Sequence, residues 1–329
     1  MAYTAGDTIL DDEYNLFVSG TSGSQYGINH IQGTGNAGYG LGQSTVATVS
    51  AGNTVQASQW NSLFTAMDNV ANHTNRTLTS TTARSAGDAI AAISALSADL
   101  NNLAADVVGG STGATAVSTG GEDTSRVASA VYDTSHIVEE SFTFAGGNEA
   151  RWFFNAGGQL QVRVTNSASN STSKDSSLNG VITSVGNFNL GSTTSSRSGS
   201  GDTATVSASS TGYYDLGTGY TTLLHIEESG GTYANNIEIK YEAKVNSAHG
   251  DGNGNNGDVV TIKCSALLND GTRSDYTSGN TSGVNVEAEA AGPTDFAFRT
   301  VDPTTAQGLS TVYTSISVAN VSNSTSNND

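Results

Sequence analysis

Gln159-Leu160-Gln161-Val162-Arg163-Val164 alternates polar and apolar residues without a break. Successive side chains of a strand leave opposite faces, so this run predicts a β-strand with one face in a core and the other polar. Gly157-Gly158 precedes it as a chain breaker. Before that, Ser141-Phe142-Thr143-Phe144 and Arg151-Trp152-Phe153-Phe154 flank Gly146-Gly147-Asn148, which reads as two strands around a hairpin turn. Towards the C-terminus, strands are expected at Thr221–Ile226, Asn236–Tyr241, Val259–Leu268, Gly283–Glu289 and Val312–Val318. Short strands punctuated by Gly, Asn and Asp turns predict an antiparallel sandwich or a related all-β domain.

The rest of the chain is organised around that domain. Residues 166–211 are rich in Ser, Thr, Asn and Gly, which reads as an exposed insertion or a surface of repeated subunit contacts. Upstream, residues 109–126 read as a Gly/Ser/Thr linker, preceded by a small module in which extended segments run into helices. An internal repeat marks this N-terminal part. Ala5-Gly6-Asp7-Thr8-Ile9 leads to Tyr14-Asn15-Leu16-Phe17, and 46 positions on, Ala51-Gly52-Asn53-Thr54-Val55 leads to Trp60-Asn61-Ser62-Leu63. Each copy predicts an extended segment running into a helix. Asp11, Asp12 and Glu13 suit the first turn of one helix, and Trp60, Leu63, Met67 and Val70 form the apolar face of the next. A weaker third echo, Ala86-Gly87-Asp88 with Ala98-Asp99-Leu100-Asn101, starts a third helix. There Ile93, Leu96, Leu100, Leu103 and Val107 are spaced three and four apart, which fits either a self-association seam or a helix packed within one subunit.

The fold class expected is therefore α+β: a small N-terminal helical module followed by a mainly antiparallel β-sandwich-like domain. The division is an N-terminal helical or attachment module at 1–108, a linker at 109–137, the β domain at 138–319 and a flexible tail at 320–329.

Composition narrows the function. Hydrophobic residues make up 36% and charged residues 13%, against roughly 25% charged in soluble globular domains. Polarity here is mainly hydroxyl and amide, which suits strand faces and turns. With 12 basic against 30 acidic residues the formal charge is −18, a balance that repels phosphate backbones and argues against nucleic-acid binding. No run approaches the length of apolar residues a membrane helix needs, so no membrane insertion is expected. Met1 to Leu10 has an acidic residue, no basic region and no apolar run, so no export signal is expected either. The one cysteine, Cys264, excludes an intrachain disulfide and, within an apolar strand, reads as a buried thiol.

Of two Asp-Thr-Ser triplets, Asp123-Thr124-Ser125 and Asp133-Thr134-Ser135, the second has the apolar lead-in of an aspartic-protease loop, but the two lie too close in sequence to be two lobes and read as turns or caps. Asp251-Gly252-Asn253-Gly254-Asn255-Asn256-Gly257-Asp258 alternates oxygen ligands like a calcium loop, yet Asn256 and Ile262 occupy the glycine and bidentate-glutamate positions. A hairpin tip is the better reading of 251–258, with adventitious calcium as the alternative. His30, His73, His136, His225 and His249 show no metal-ligand spacing, and His225 reads as a core or interface histidine. Arg151 beside Trp152, Phe153 and Phe154 suits either glycan stacking or core aromatics with an edge arginine. No catalytic, cofactor-binding or metal-ligating residue is assigned.

Two strings carry a resemblance. The Ala-Gly-x-Thr-Ile/Val segment leading to Tyr/Trp-Asn and ending in Val70-Ala71-Asn72-His73 resembles the N-terminal region of virion structural proteins of tailed marine phages, including those of cyanobacteria. Glu149-Ala150-Arg151-Trp152-Phe153-Phe154-Asn155-Ala156-Gly157-Gly158-Gln159-Leu160 resembles a β segment of the same group. The resemblance implies a particle component without a catalytic role, and the Ser/Asn-rich stretch departs from the pattern. The expectation is a non-enzymatic virion protein in multiple copies, an appendage or accessory part (fibre, neck or tail). Its partners would be other copies of itself and other virion proteins. Capsid decoration and a glycan-binding host adhesin are the alternatives.

Overall fold

The apolar residues gather into two separate clusters, one helical and one between sheets. The computed structural model describes residues 11–21, 25–33, 45–74, 76–86, 93–108, 123–129, 132, 134–155, 157–167, 173–230, 235–249, 257–268, 293–302 and 316–326.

The first cluster is built by α1 (Asp11–Ser19), α2 (Ile28–Gly33), α3 (Ala57–Thr74) and α4 (Ile93–Val108), with a two-residue ladder of β1 (Gly20–Thr21) and β2 (Gln25–Tyr26). The expected face of α3 is buried as read: Trp60, Leu63, Met67 and Val70. In α4, Leu96, Leu100 and Leu103 are buried against α2 and α3 of the same chain. The three-four spacing is thus an internal packing face, and the self-association reading of this helix is overturned for those three leucines.

Two antiparallel sheets follow. One has six strands in the order β13-β4-β11-β10-β9-β8, the other five in the order β3-β12-β5-β6-β7. Their ranges are β3 (Thr124–Val127), β4 (Ser135–Thr143), β5 (Gln159–Asn166), β6 (Asn187–Leu190), β7 (Ser195–Arg197), β8 (Thr203–Ser207), β9 (Thr221–Glu227), β10 (Ile237–Val245), β11 (Val259–Leu268), β12 (Thr294–Val301) and β13 (Ser317–Ser326). The sheets pack by their inner faces: Phe142 meets Phe298 at 6.3 Å, Phe188 meets Tyr241 at 5.3 Å, and Tyr241 meets Phe296 at 6.3 Å between ring centroids. Alternation along β10, buried at every odd position from Ile237 to Val245, is the period-two pattern of such a sheet. The α+β, sandwich-like fold class is therefore observed.

Several boundaries differ from the reading of the sequence. Arg151–Phe154 is not a strand: α5 (Gly147–Asn155) is a helix, because Ala150, Phe153 and Phe154 fall on one face and all are buried. Phe154 stacks on Tyr213 at 4.2 Å, and both it and Phe153 contact Phe144. The chain leaves this helix through Gly157, at φ +92, and Gly158, where a Cβ would lie 2.6 Å from the Phe153 ring.

The polar stretch 166–211 is not simply an exposed insertion. It supplies α6 (Ser173–Val185) and β6, β7 and β8; α6 buries Leu178, Val181 and Val185 and touches β5 of one sheet and β9 and β10 of the other. The expected linker contributes β3 to the five-stranded sheet and the start of β4 to the other. The expected tail from 320 is most of β13, paired with β4 from Ser317 opposite Thr143 to Ser326 opposite Ser135. The expected strand at 283–289 lies outside the described residues, as do residues 1–10 of the first repeat.

A buried ion pair ties the sheets together. Arg126 on β3 donates to both carboxylate oxygens of Glu140 on β4 at 2.8 and 2.7 Å. Glu140 is fully buried, which pushes its carboxyl pKa up, and the Arg126 guanidinium pulls against that shift.

Candidate functional sites

The repeat encodes a clamp. Asn15 donates through Nδ2 to the Val49 carbonyl at 2.7 Å and accepts from the Val49 amide at 2.8 Å. Asn61, at the matching position, donates to the Arg84 carbonyl at 3.0 Å and accepts from the Arg84 amide at 2.8 Å. Each asparagine amide pairs with one peptide group as a neighbouring strand would. Val49 and Arg84 both lie two residues before an Ala-Gly pair, Ala51-Gly52 and Ala86-Gly87, so each helix holds the entry to the next repeat. The aromatic partners of the repeat meet directly, Tyr14 edge-on to Trp60 at 5.2 Å. In the third echo the buried carboxylate of Asp99 holds the preceding segment instead, accepting from the Thr79 and Ser80 amides at 2.9 and 3.0 Å.

The glycan reading of Arg151 fails on burial. Arg151 is 1% exposed, so its guanidinium cannot stack on a sugar from solvent. Its charge is felt inside: burial lowers the pKa of His249 and Arg151 adds to that, while the same charge opposes the upward shift that burial gives Tyr213. The Trp152 side chain lies outside the described residues.

Asp123 accepts from the Thr300 amide and hydroxyl, each at 2.6 Å, and so caps the β3–β12 pair. Asp133 lies outside the described residues. The 251–258 segment joins the hydrogen-bonded strands β10 and β11, which makes it a hairpin connection. Residues 251–256 are outside the described residues, but Asp258 accepts from Asn246 Nδ2 at 2.5 Å. Gly257, at φ +77, lies under His249 and the Tyr213 hydroxyl, where a Cβ would come within 2.8 Å of both.

The histidines part company. His30 stacks on Tyr26, and the His73 side chain is outside the described residues. His136 is fully buried on the inner face of β4, and His249 donates from Nε2 to the Tyr213 carbonyl at 2.8 Å. His225 is not a core residue: it stands half-buried on β9, with Nε2 2.8 Å from Glu238 Oε2 and 3.4 Å from Glu227 Oε1. Cys264 is buried as expected, and burial pushes its thiol pKa well up, which leaves it unreactive.

The outer face of the six-stranded sheet carries a charged cluster. Lys240 and Lys263 reach Glu242 at 2.7 and 3.3 Å, and Lys244 lies over the Tyr220 ring at 4.3 Å. Burial opposes ionisation of Glu242, but the two ammonium groups outweigh it and hold its carboxyl below the usual range. An open cleft beside α6 is lined by Ser176, Asn179, Thr183, Ser184 and Asp202. Its one carboxylate, Asp202, already accepts from Ser184 and Ser229. Glycoside hydrolysis in its common form needs two opposed carboxylates, and this cleft offers one.

Comparison with family models, with curated proteins and with solved structures finds no match for this chain.

Proposed function

We propose that the chain is a non-enzymatic structural protein of a tailed-phage particle, present in several copies as an appendage or accessory component of the fibre, neck or tail. The observation that carries the reading is the free edge of β13. This ten-residue strand has no fully buried residue and is held mainly by its ladder with β4. Among the described residues no strand lies on its other side. An uncovered edge of this kind is a template for pairing with another chain. It has neither lysine nor proline to blunt it, and its bulge between Asn320 and Ser322 turns Val321 outward at 55% exposure.

Most of the described aromatic residues are consumed in the two internal cores, and the exposed large hydrophobic residues among those described are Tyr26, Val127 and Val321. Contacts between copies therefore run through strand edges and hydroxyl-rich surface. The acidic balance and the resemblance of the repeat and of 149–160 to phage virion proteins support the same reading.

Quantitative mass spectrometry of purified particles tests it. A small copy number per particle fits a neck, tail or fibre component. A number matching the capsid subunits fits decoration instead. Absence from particles overturns the proposal.

A further inference from the structure

His225 and Glu227 are two residues apart on β9, so both side chains leave the same face. The ladder with β10 places Glu238 directly opposite Glu227 and Lys240 opposite His225. Two carboxylates facing one another across a ladder repel. The neighbouring Lys240 ammonium lies 2.7 Å from Glu242. What lies between the two carboxylates is the His225 imidazole.

One ligand atom from each of His225, Glu227 and Glu238 falls within 4.8 Å of the other two. Bonds of about 2.0–2.2 Å from zinc to imidazole nitrogen and carboxylate oxygen set adjacent ligands about 3.3–3.5 Å apart in a tetrahedron. The Nε2–Glu227 separation of 3.4 Å already has that value, and the Nε2–Glu238 separation of 2.8 Å needs only a small opening. The side chains are 19%, 25% and 15% exposed, so an ion could enter and would keep open positions for water. They stand on paired strands, which hold ligands more tightly than loops do. The imidazole selects the class of ion: calcium and magnesium prefer all-oxygen shells, whereas zinc takes mixed nitrogen and oxygen.

We propose that His225, Glu227 and Glu238 form a three-ligand site for a divalent transition-metal ion of the zinc class on the outer face of the six-stranded sheet. The linear sequence conceals it, because strand pairing alone brings Glu238 to the other two. This inference is independent of whether the chain belongs to a particle.

Isothermal titration calorimetry of the chelator-treated full-length chain with zinc chloride tests it, with calcium chloride run separately. The expected result is one zinc per chain and no comparable calcium binding. Losing an outer-shell partner costs a metal site about 10–100-fold in affinity, so Glu227→Gln, Glu238→Gln and His225→Ala should each lose at least that. Glu139→Gln, on the same sheet face, should bind like the unaltered chain. The near-isosteric glutamine variants keep the test decisive if His225→Ala does not fold. Absence of zinc binding, equal binding of calcium, or zinc affinity unchanged in both glutamine variants would overturn the site, the last because it marks diffuse binding to an acidic surface.

Discussion

His136 shows how one buried side chain makes the fold respond to pH. It lies between the Tyr132 and Phe296 rings, with Nδ1 2.6 Å from Thr294 Oγ1 and Nε2 2.9 Å from Asn323 Oδ1. Asn323 donates its own Nδ2 to the Val127 carbonyl at 3.1 Å, so its oxygen is the atom facing the imidazole. That oxygen only accepts, so Nε2 carries the proton and the neutral ring accepts at Nδ1 from the Thr294 hydroxyl. Tyr132 can then donate to Thr294 at 3.0 Å, and every member is satisfied. Burial lowers the His136 pKa from its ordinary value of 6.5, and the Asn323 hydrogen bond offsets this only in part. Above that value both folded and unfolded chains hold the ring neutral, so its contribution is fully present. As pH falls through it, the unfolded chain takes up a proton that the folded chain resists, and stability is lost until the folded ring protonates too. His249 acts in the same direction, whereas Glu140, with its raised pKa, acts in the opposite one. Comparing a single variant with the parent isolates His136. Between about pH 7.5 and about pH 5.5, His136→Gln should lose less denaturation free energy than the parent chain. Equal losses would show that the ring does not resist protonation.

At the scale of elements, the asparagine clamps explain why a short helical module can hold extended segments between its helices. Asn61→Ala removes two hydrogen bonds and leaves the Arg84 peptide group without this partner. At about 0.5–1.5 kcal/mol for each bond, the module should lose about 1–3 kcal/mol in chemical denaturation. Asn61→Asp, which keeps the acceptor, should lose roughly half as much. Unchanged stability in both would make the clamp incidental. The repeat itself was legible because its residues match at fixed spacing, but the clamp was not, since its partner lies 23 residues away. The same division runs through the β domain. Strands β5, β9, β10 and β11 announce themselves by alternation or an apolar run. Helix α5 was missed because four residues, Arg151–Phe154, carry strand-like aromatic composition while Ala150, Phe153 and Phe154 keep helical spacing. Helix α6 hides in Ser, Asn and Gly, although Leu178, Val181 and Val185 are three and four apart. Strand β13 has no apolar face to read, because β4 recruits it through backbone groups. The His225, Glu227 and Glu238 cluster fails to show for the same reason: register, which the linear sequence does not display, assembles it.

For the whole molecule, the decisive feature is that its two hydrophobic cores share no residue. The helical core is centred on Trp60, which touches Tyr14, Phe17 and Phe64. The sandwich core is closed by its aromatic contacts and the Arg126–Glu140 pair. The two units meet where α3 touches α5, a contact made by the same helix that carries Trp60. Cooperativity depends on shared buried contacts, so two cores joined, among the described elements, chiefly at this helix pair should melt as two units. Removing a buried tryptophan costs about 3–5 kcal/mol, a loss that falls within the helical core. Scanning calorimetry should therefore show two transitions, and Trp60→Ala should lower or abolish one while leaving the other nearly in place. If the helical module is the attachment module of the proposed particle protein, the same variant should also enter particles poorly although its sandwich still folds. A single transition that moves as a whole would mean that the α3–α5 contact couples the cores. Unchanged melting together with normal incorporation would remove Trp60 from any role in either.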